Sequence, residues 1–269
     1  MYNILLYGNC QMEAYESMIV PSPAYCIFQI QCWSTEMSII EFTNMIQNMD
    51  VIVMQNIKDN YREKHYLSST YILNNSNPKT RFIFVTNLYF PYYYFDSYMD
   101  PKIILEIPYE YKSIKQYKTE NKSKQELFQN VIFNKDFKSE TELKELEDYC
   151  FSEFNRRYEK MKVYQNFYKN KSITIINVIP FIQQYFKHML LFYSINHPAP
   201  PLVKCIVDQI NMELGNILIL NSSKDFFSFY KGILYSCLQK QLTFDISKCE
   251  VKIKNFIDVP SYIDHYYSM

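Results

Sequence analysis

Glycine is almost missing, with three residues in 269. Gly8 and Gly215 therefore stand out, because a turn that needs positive φ takes glycine by default. Cysteine pairs of the C-x-x-C kind are absent. The seven cysteines, Cys10, Cys26, Cys32, Cys150, Cys205, Cys237 and Cys249, are odd in number. Neither a paired zinc site nor a disulfide framework is expected, and no metal is called for. Excess charge of either sign is also absent, with 28 basic against 28 acidic residues. That balance removes the electrostatic case for nucleic acid or an acidic membrane surface as partner. No apolar stretch is long enough for a membrane span. The opening Met-Tyr-Asn-Ile-Leu-Leu-Tyr-Gly lacks a basic n-region and reads as a buried strand, not a signal peptide. The expectation is a reduced, cytoplasmic protein without a membrane span, with homo-oligomer formation left open.

What is abundant is apolar and aromatic. Hydrophobic residues make up 48%, and there are 26 tyrosines and 20 phenylalanines. A sizeable core can be buried, in one large domain or two small ones. The aromatic excess reads as compositional bias, since totals alone give no carbohydrate site.

The first third of the chain alternates short apolar runs with helical patterns. Residues 3–7, 25–31, 51–55 and 81–86 read as strands, and residues 11–20 as a helix stopped by Pro21 and Pro23. A further helix follows Ser34 or Thr35, with Glu36 in its first turn, and another covers residues 61–73. This alternation predicts an α/β fold: three layers, a mostly parallel sheet with flanking helices, and a helical C-terminal part. Residues 110–134 read as helical, and residues 139–170 as one long charged helix or two shorter ones. In the latter, Glu140/Lys144 and Glu153/Arg157 have pairing distance. Helices are expected over 181–193, behind Pro180, and over 202–214, ending at Gly215. The division expected is an α/β domain over 1–210 and a helical extension over 211–269.

In an open parallel sheet, ligands sit beyond the carboxyl ends of the strands. That rule selects the loops after residues 7, 54 and 86. The first is Gly8-Asn9-Cys10-Gln11, between a strand and a helix start, where backbone N–H groups and the helix dipole favour an anion and lower a thiol's pKa. Cys10 there suits a nucleophile, although a buried cysteine tightening a turn fits the same pattern. The second is Gln55 with Lys58-Asp59-Asn60-Tyr61-Arg62, whose cations can hold phosphates or lie in solvent. The third begins at Asn87, an amide placed to donate to an oxyanion or to form an ordinary turn. A fourth candidate is His197, in Asn196-His197-Pro198 between two expected helices. Histidine is a base near neutral pH, and the following proline restricts its backbone.

Taken together, Gly8–Gln11, Gln55 with Asp59, Tyr61 and Arg62, Asn87-Leu88-Tyr89-Phe90, and Asn196–Pro198 resemble the WcbI-type polysaccharide-biosynthesis family of acetyltransferases. The resemblance spans residues 1–210 and includes a looser match over Ser152–Glu159. It implies an enzyme that transfers an acetyl group from acetyl-CoA to a sugar or nucleotide-sugar in capsule or other surface-glycan synthesis. Cys10, His197 and Asn87 would be catalytic. Gly8, Asn9, Gln11, Lys58, Tyr61 and Arg62 would bind coenzyme A, with Lys58 and Arg62 on its phosphates. The architecture is also similar to the SGNH/GDSL esterases, which carry an aspartate three residues before their histidine; here that residue is Ser194. Two alternatives follow: an SGNH-type esterase or deacetylase, and a non-catalytic glycan or nucleotide-sugar binding module.

Overall fold

The computed structural model describes residues 1–93, 139–221, 223–228 and 236–245. The helical expectation for residues 110–134, and most of the expected extension, lie outside these. By its internal contacts the chain divides into two compact units. The first contains Met1–Asn87, Glu153–Phe181 and Pro200–Phe226, and the second Leu88–Ser152, Ile182–Ala199 and Phe227–Met269.

The first unit is built on a five-stranded parallel sheet. Its strands are β1 (Tyr2–Gly8), β2 (Tyr25–Gln31), β3 (Val51–Met54), β4 (Arg81–Val85) and β5 (Ser172–Ile176), in the order β2-β1-β3-β4-β5. β5 was not read from the sequence. Ser172-Ile-Thr-Ile-Ile is short, follows a long charged helix, and pairs in parallel with β4. Side chains alternate between the faces of a strand. On one face Leu5, Tyr7, Ile52, Met54, Phe82 and Phe84 form the core with Phe42, Ile72 and Met161, which come from the helices α2 (Ile39–Gln47), α3 (Ser69–Asn75) and α4 (Glu140–Phe167). The opposite face is covered by α1 (Gln11–Ser17) and α6 (Pro200–Glu213). Arg81 ties β4 to the end of α6 by donating to the Glu213 carbonyl at 2.6 Å. The fold is thus the three-layer α/β sandwich expected.

Several boundaries moved for identifiable reasons. α1 ends at Ser17 because the chain after α6 recruits its continuation: Val20 donates to the Ile219 carbonyl at 2.8 Å and Asn221 to that of Met18 at 2.7 Å. α2 starts at Ile39, not after Ser34 or Thr35. Ser38 and Glu41 form a reciprocal capping box there, which satisfies two orphan N–H groups at once. The expected helix over 61–73 splits into turns at Tyr61–Glu63 and His65–Leu67 followed by α3. Asn60, Arg62 and Glu63 have φ of 54°, 52° and 62°, which no α-helix accommodates. Within residues 139–170 a single helix forms, α4 (Glu140–Phe167), capped by Ser139 with Glu142. Lys144 pairs with Glu147 and Asp148 instead of Glu140, whereas Glu153 does meet Arg157, at 3.9 Å. Gly215, with φ of 76°, closes α6 in the conformation that favours glycine.

The second unit is organised by aromatics. Phe90 stacks on Phe192 with centroids 4.9 Å apart, and Tyr92, Tyr93, Phe151 and Phe186 surround them. Tyr93 donates its hydroxyl to the Phe186 carbonyl. The helix expected over 181–193 stops early: α5 covers Ile179–Tyr185. Beyond it the chain turns into an antiparallel ribbon of β6 (Phe192–Ser194) and β7 (His197–Pro198). Phe192, Tyr193 and the proline at 198 suit a pleated ribbon better than a helix. His197 therefore lies on a strand, not in an interhelical loop.

Candidate functional site

The parallel register aligns Ile4 with Val51 and Val51 with Arg81. Counting by twos from these positions puts Gly8, Gln55 and Asn87 on one face of the sheet, at its carboxyl edge and under α1. Gln55 is the hinge of this group and has 0% exposure. Its Oε1 accepts from the Asn9 backbone N–H at 2.9 Å, and its Nε2 donates to Gln11 Oε1 at 2.9 Å. Asn9 in turn donates Nδ2 to Asn87 Oδ1 at 2.9 Å, and its Oδ1 accepts from the Gln11 N–H at 2.9 Å. One closed set of amide contacts thus holds the β1 loop to the ends of β3 and β4.

Gly8 belongs to this network for want of space, not for φ. Its backbone continues β1. A β-carbon there would lie 2.6 Å from Gln55 Oε1 and 3.0 Å from Met12 Cε. The expected positive-φ turn is absent at this glycine.

Cys10 caps α1 with backbone angles already in the helical region. The expected lowering of its thiol pKa is reversed. Burial pushes the thiol up to about 11, Glu13 pushes in the same direction, and the thiol's own backbone N–H opposes them only weakly. α1 has just seven residues, so its dipole is a small term beside desolvation. At neutral pH Cys10 is a thiol. The Asn9 and Gln11 N–H groups, expected to be offered to an anion, are engaged inside the network.

Arg157, on α4, is a residue the sequence reading left out of the site. Its Nη1 donates to the Asn87 carbonyl at 2.9 Å, which fixes the chain where β4 ends. The signal for it was present in the Ser152–Glu159 stretch. Tyr15, one turn beyond Gln11 on the buried side of α1, was also missed. Its hydroxyl is fully buried and has no hydrogen-bond partner among the described residues.

The second loop makes different contacts. Arg62 Nη1 donates to the Trp33 carbonyl at 2.8 Å, after β2. Tyr61 packs on the core side of α2 and α3 and interacts with Cys32. Lys58 is exposed. The structure thus joins Gly8, Asn9, Cys10, Gln11, Gln55 and Asn87, while Lys58, Tyr61 and Arg62 follow β3, Tyr61 and Arg62 with partners of their own and Lys58 exposed. Among the described residues no group of three or more His, Cys, Asp or Glu is placed to hold a metal ion, and no helix is long and apolar enough to cross a membrane.

His197 belongs to the second unit. Its Nδ1 lies 2.6 Å from Ser194 Oγ, directly across the ribbon, and its ring packs on Phe227 with centroids 4.6 Å apart.

Comparison with known proteins agrees with this architecture. The family described as polysaccharide biosynthesis enzyme WcbI matches over residues 3–216. A solved structure of WcbI superposes with a TM-score of 0.75 at 18% identity, over 99% of this chain and 88% of that one. That structure is described as the native protein without a disulfide bond between coenzyme A and one of its cysteines. No curated protein gives a significant match.

Proposed function

Since the chain belongs to the WcbI family of polysaccharide biosynthesis enzymes, we propose that it is an acetyltransferase carrying acetyl groups from acetyl-CoA to a sugar or nucleotide-sugar in surface-glycan synthesis. The observation that supports this reading most is the amide network around Gln55. It sets a cysteine-bearing loop at the carboxyl edge of a parallel sheet, the place where such sheets bind ligands. A solved WcbI structure is described in terms of coenzyme A and a cysteine, and Cys10 is the cysteine this network presents.

In this reading His197 is the base and acts on the acceptor. It removes the proton from the acceptor O–H or N–H. The electron pair so released forms the new bond to the acetyl carbonyl carbon, the carbon–sulfur bond breaks with its pair on sulfur, and His197 returns the proton to give CoA–SH. Cys10, protonated at neutral pH, lines the thioester and does not attack it. Arg62 and Lys58 take the coenzyme phosphates, an assignment that requires Arg62 to leave the Trp33 carbonyl. The enzyme would work in the cytoplasm, where acetyl-CoA is available.

The test is a thermal-shift titration with CoA, acetyl-CoA and nucleotide sugars, since a ligand that binds only the native state stabilises it by mass action. CoA and acetyl-CoA should raise Tm, by less in Arg62→Ala and Lys58→Ala. No shift at millimolar coenzyme overturns the reading. An unchanged shift in both variants removes only the phosphate assignment.

A further inference from the structure

The sequence offers Asn87 as a donor to an oxyanion, and only one orientation of its side chain can do that work. A carboxamide accepts at its oxygen and donates at its nitrogen. The two ends fill nearly the same space, so the partners decide which end faces where. At Asn87 that decision is made by Asn9. The Gln11 backbone N–H, which can only donate, meets Asn9 Oδ1 at 2.9 Å. The other end of the Asn9 amide must then be Nδ2, and it lies 2.9 Å from Asn87 Oδ1. An Asn87 amide turned the other way would set nitrogen against nitrogen. The Asn87 Nδ2 hydrogens are thus left over, and among the described residues they have no acceptor.

Both residues are held from behind. Gln55 Oε1 accepts the Asn9 backbone N–H, and Arg157 Nη1 donates to the Asn87 carbonyl, each at 2.9 Å. Gln11 and Gln55 are fully buried, whereas Asn9, Cys10 and Asn87 keep some exposure. The network is therefore sealed at its glutamines and open at Asn9, Cys10 and Asn87. We infer that Asn9 is a positioning residue: by accepting the Gln11 N–H and donating to Asn87, it turns the Asn87 side chain so that Nδ2 is presented to the ligand as a donor. This inference rests on the acetyltransferase reading for its chemical meaning. As the acceptor's electron pair reaches the acetyl carbonyl carbon, the π pair of the carbonyl moves onto oxygen, and Asn87 Nδ2–H donates to that oxygen. The pair then returns to carbon as the carbon–sulfur bond breaks. The Asn9 and Gln11 N–H groups are spent inside the network, and two amides in series pass the polarity of the Gln11 N–H on to Asn87. Bonds in such a chain polarise one another, which makes the last N–H a better donor than an isolated amide.

Asn9→Asp is the informative change. The carboxylate still accepts the Gln11 N–H but has no hydrogen to give, so Asn87 should turn Nδ2 towards it and present Oδ1 instead. In turnover, kcat should fall roughly 10²–10³-fold, the loss expected for one oxyanion donor, with little change in KM for acetyl-CoA. In an Asn87→Ala background, already slowed to a similar degree, Asn9→Asp should cost little more. An equal loss in both backgrounds overturns the inference, because Asn9 would then act by charge or folding and not through Asn87. A second measurement needs no turnover. In ¹⁵N-labelled full-length protein, the two side-chain amides are identified by the signals lost in Asn9→Asp and in Asn87→Ala. One Asn9 Nδ2 proton should exchange slowly with solvent, while both Asn87 Nδ2 protons exchange fast; in Asn9→Asp an Asn87 proton should become slow. Slow exchange at Asn87 in the wild type, or fast exchange of both Asn9 protons, also overturns the inference. Wild-type protein with the expected exchange pattern but no coenzyme binding or turnover would refute the acetyltransferase reading and leave the amide orientation standing.

Discussion

The side chain of Gln55 occupies the space that a β-carbon on residue 8 would need: its Oε1 lies 2.6 Å from that position. The same oxygen accepts the Asn9 N–H, while the other end of the amide holds Gln11. Gly8 and Gln55 are therefore a single device, in which the missing side chain of one admits the amide of the other.

Gly8→Ala should cost about 1–3 kcal/mol, the usual range for overpacking a buried site. The displaced atom ends a flexible side chain, but moving it breaks the bond to Asn9. Gln55→Ala should cost a similar amount, because it removes the acceptor of the Asn9 N–H and the Gln55 donor to Gln11 Oε1. The double variant should be less destabilised than the sum, since the alanine at 8 no longer meets an amide. Urea unfolding of the four proteins checks this. Strict additivity would mean that the two positions do not communicate.

The thiols of Cys10 and Cys32 are both pushed up to about 11 by burial. An unfolded thiol titrates near pH ~8.5. Between that pH and 11 the unfolded chain has lost the proton that the folded chain keeps. The unfolded state thus binds fewer protons, and stability falls as pH rises. The loss should be on the order of 2 kcal/mol per thiol, and smaller for Cys10, which keeps some exposure. Denaturation midpoints between pH 8 and 11 should decline less steeply in Cys10→Ala and Cys32→Ala. Equal slopes in all three would refute the assignment. Alkylation of Cys10 by iodoacetamide should likewise be slow at neutral pH.

The strands that carry the site were legible because each is a short apolar run bounded by Gly, Pro or Asn, and three strand ends picked out Gly8, Gln55 and Asn87 before any coordinate. What escaped depends on partners distant in sequence. α1 is cut short by residues 219–221, β5 exists through pairing with β4, and Arg157 reaches Asn87 across 70 positions. The Cys10 thiol follows the alternative of a buried cysteine tightening a turn and not the helix-start field, because desolvation is the largest influence on it and the extent of burial depends on packing that the local motif does not reveal. Ser194 was noticed only as a missing carboxylate. Its contact with His197 depends on a ribbon whose short strands give little periodicity to read.

Tyr15→Phe should leave the folded protein as stable as the wild type or slightly more so. The wild-type hydroxyl is buried without a partner among the described residues, and an unsatisfied buried polar group costs about 1–3 kcal/mol. Removing it keeps the ring and its packing. Tm should stay level or rise. A clear drop would mean that the hydroxyl makes a stabilising bond.

The last prediction separates two chemistries for the same residues. A cysteine nucleophile must be deprotonated to attack, and Cys10 keeps its proton well above neutral pH. If a base had to remove that proton first, the enzyme would form a costly thiolate only to exchange one thioester for another. Direct attack by the acceptor avoids that step and needs only a base aimed at the acceptor, which is the work proposed for His197. Cys10→Ala should therefore retain appreciable turnover with acetyl-CoA, with most of its deficit in KM, whereas His197→Ala should lose about 10²–10⁴-fold in kcat. Rapid quenching followed by mass spectrometry should find no acetyl group on Cys10. An acetylated Cys10 formed fast enough to be an intermediate, together with an inactive Cys10→Ala, would establish the covalent route. Full activity in His197→Ala would remove the base from both schemes.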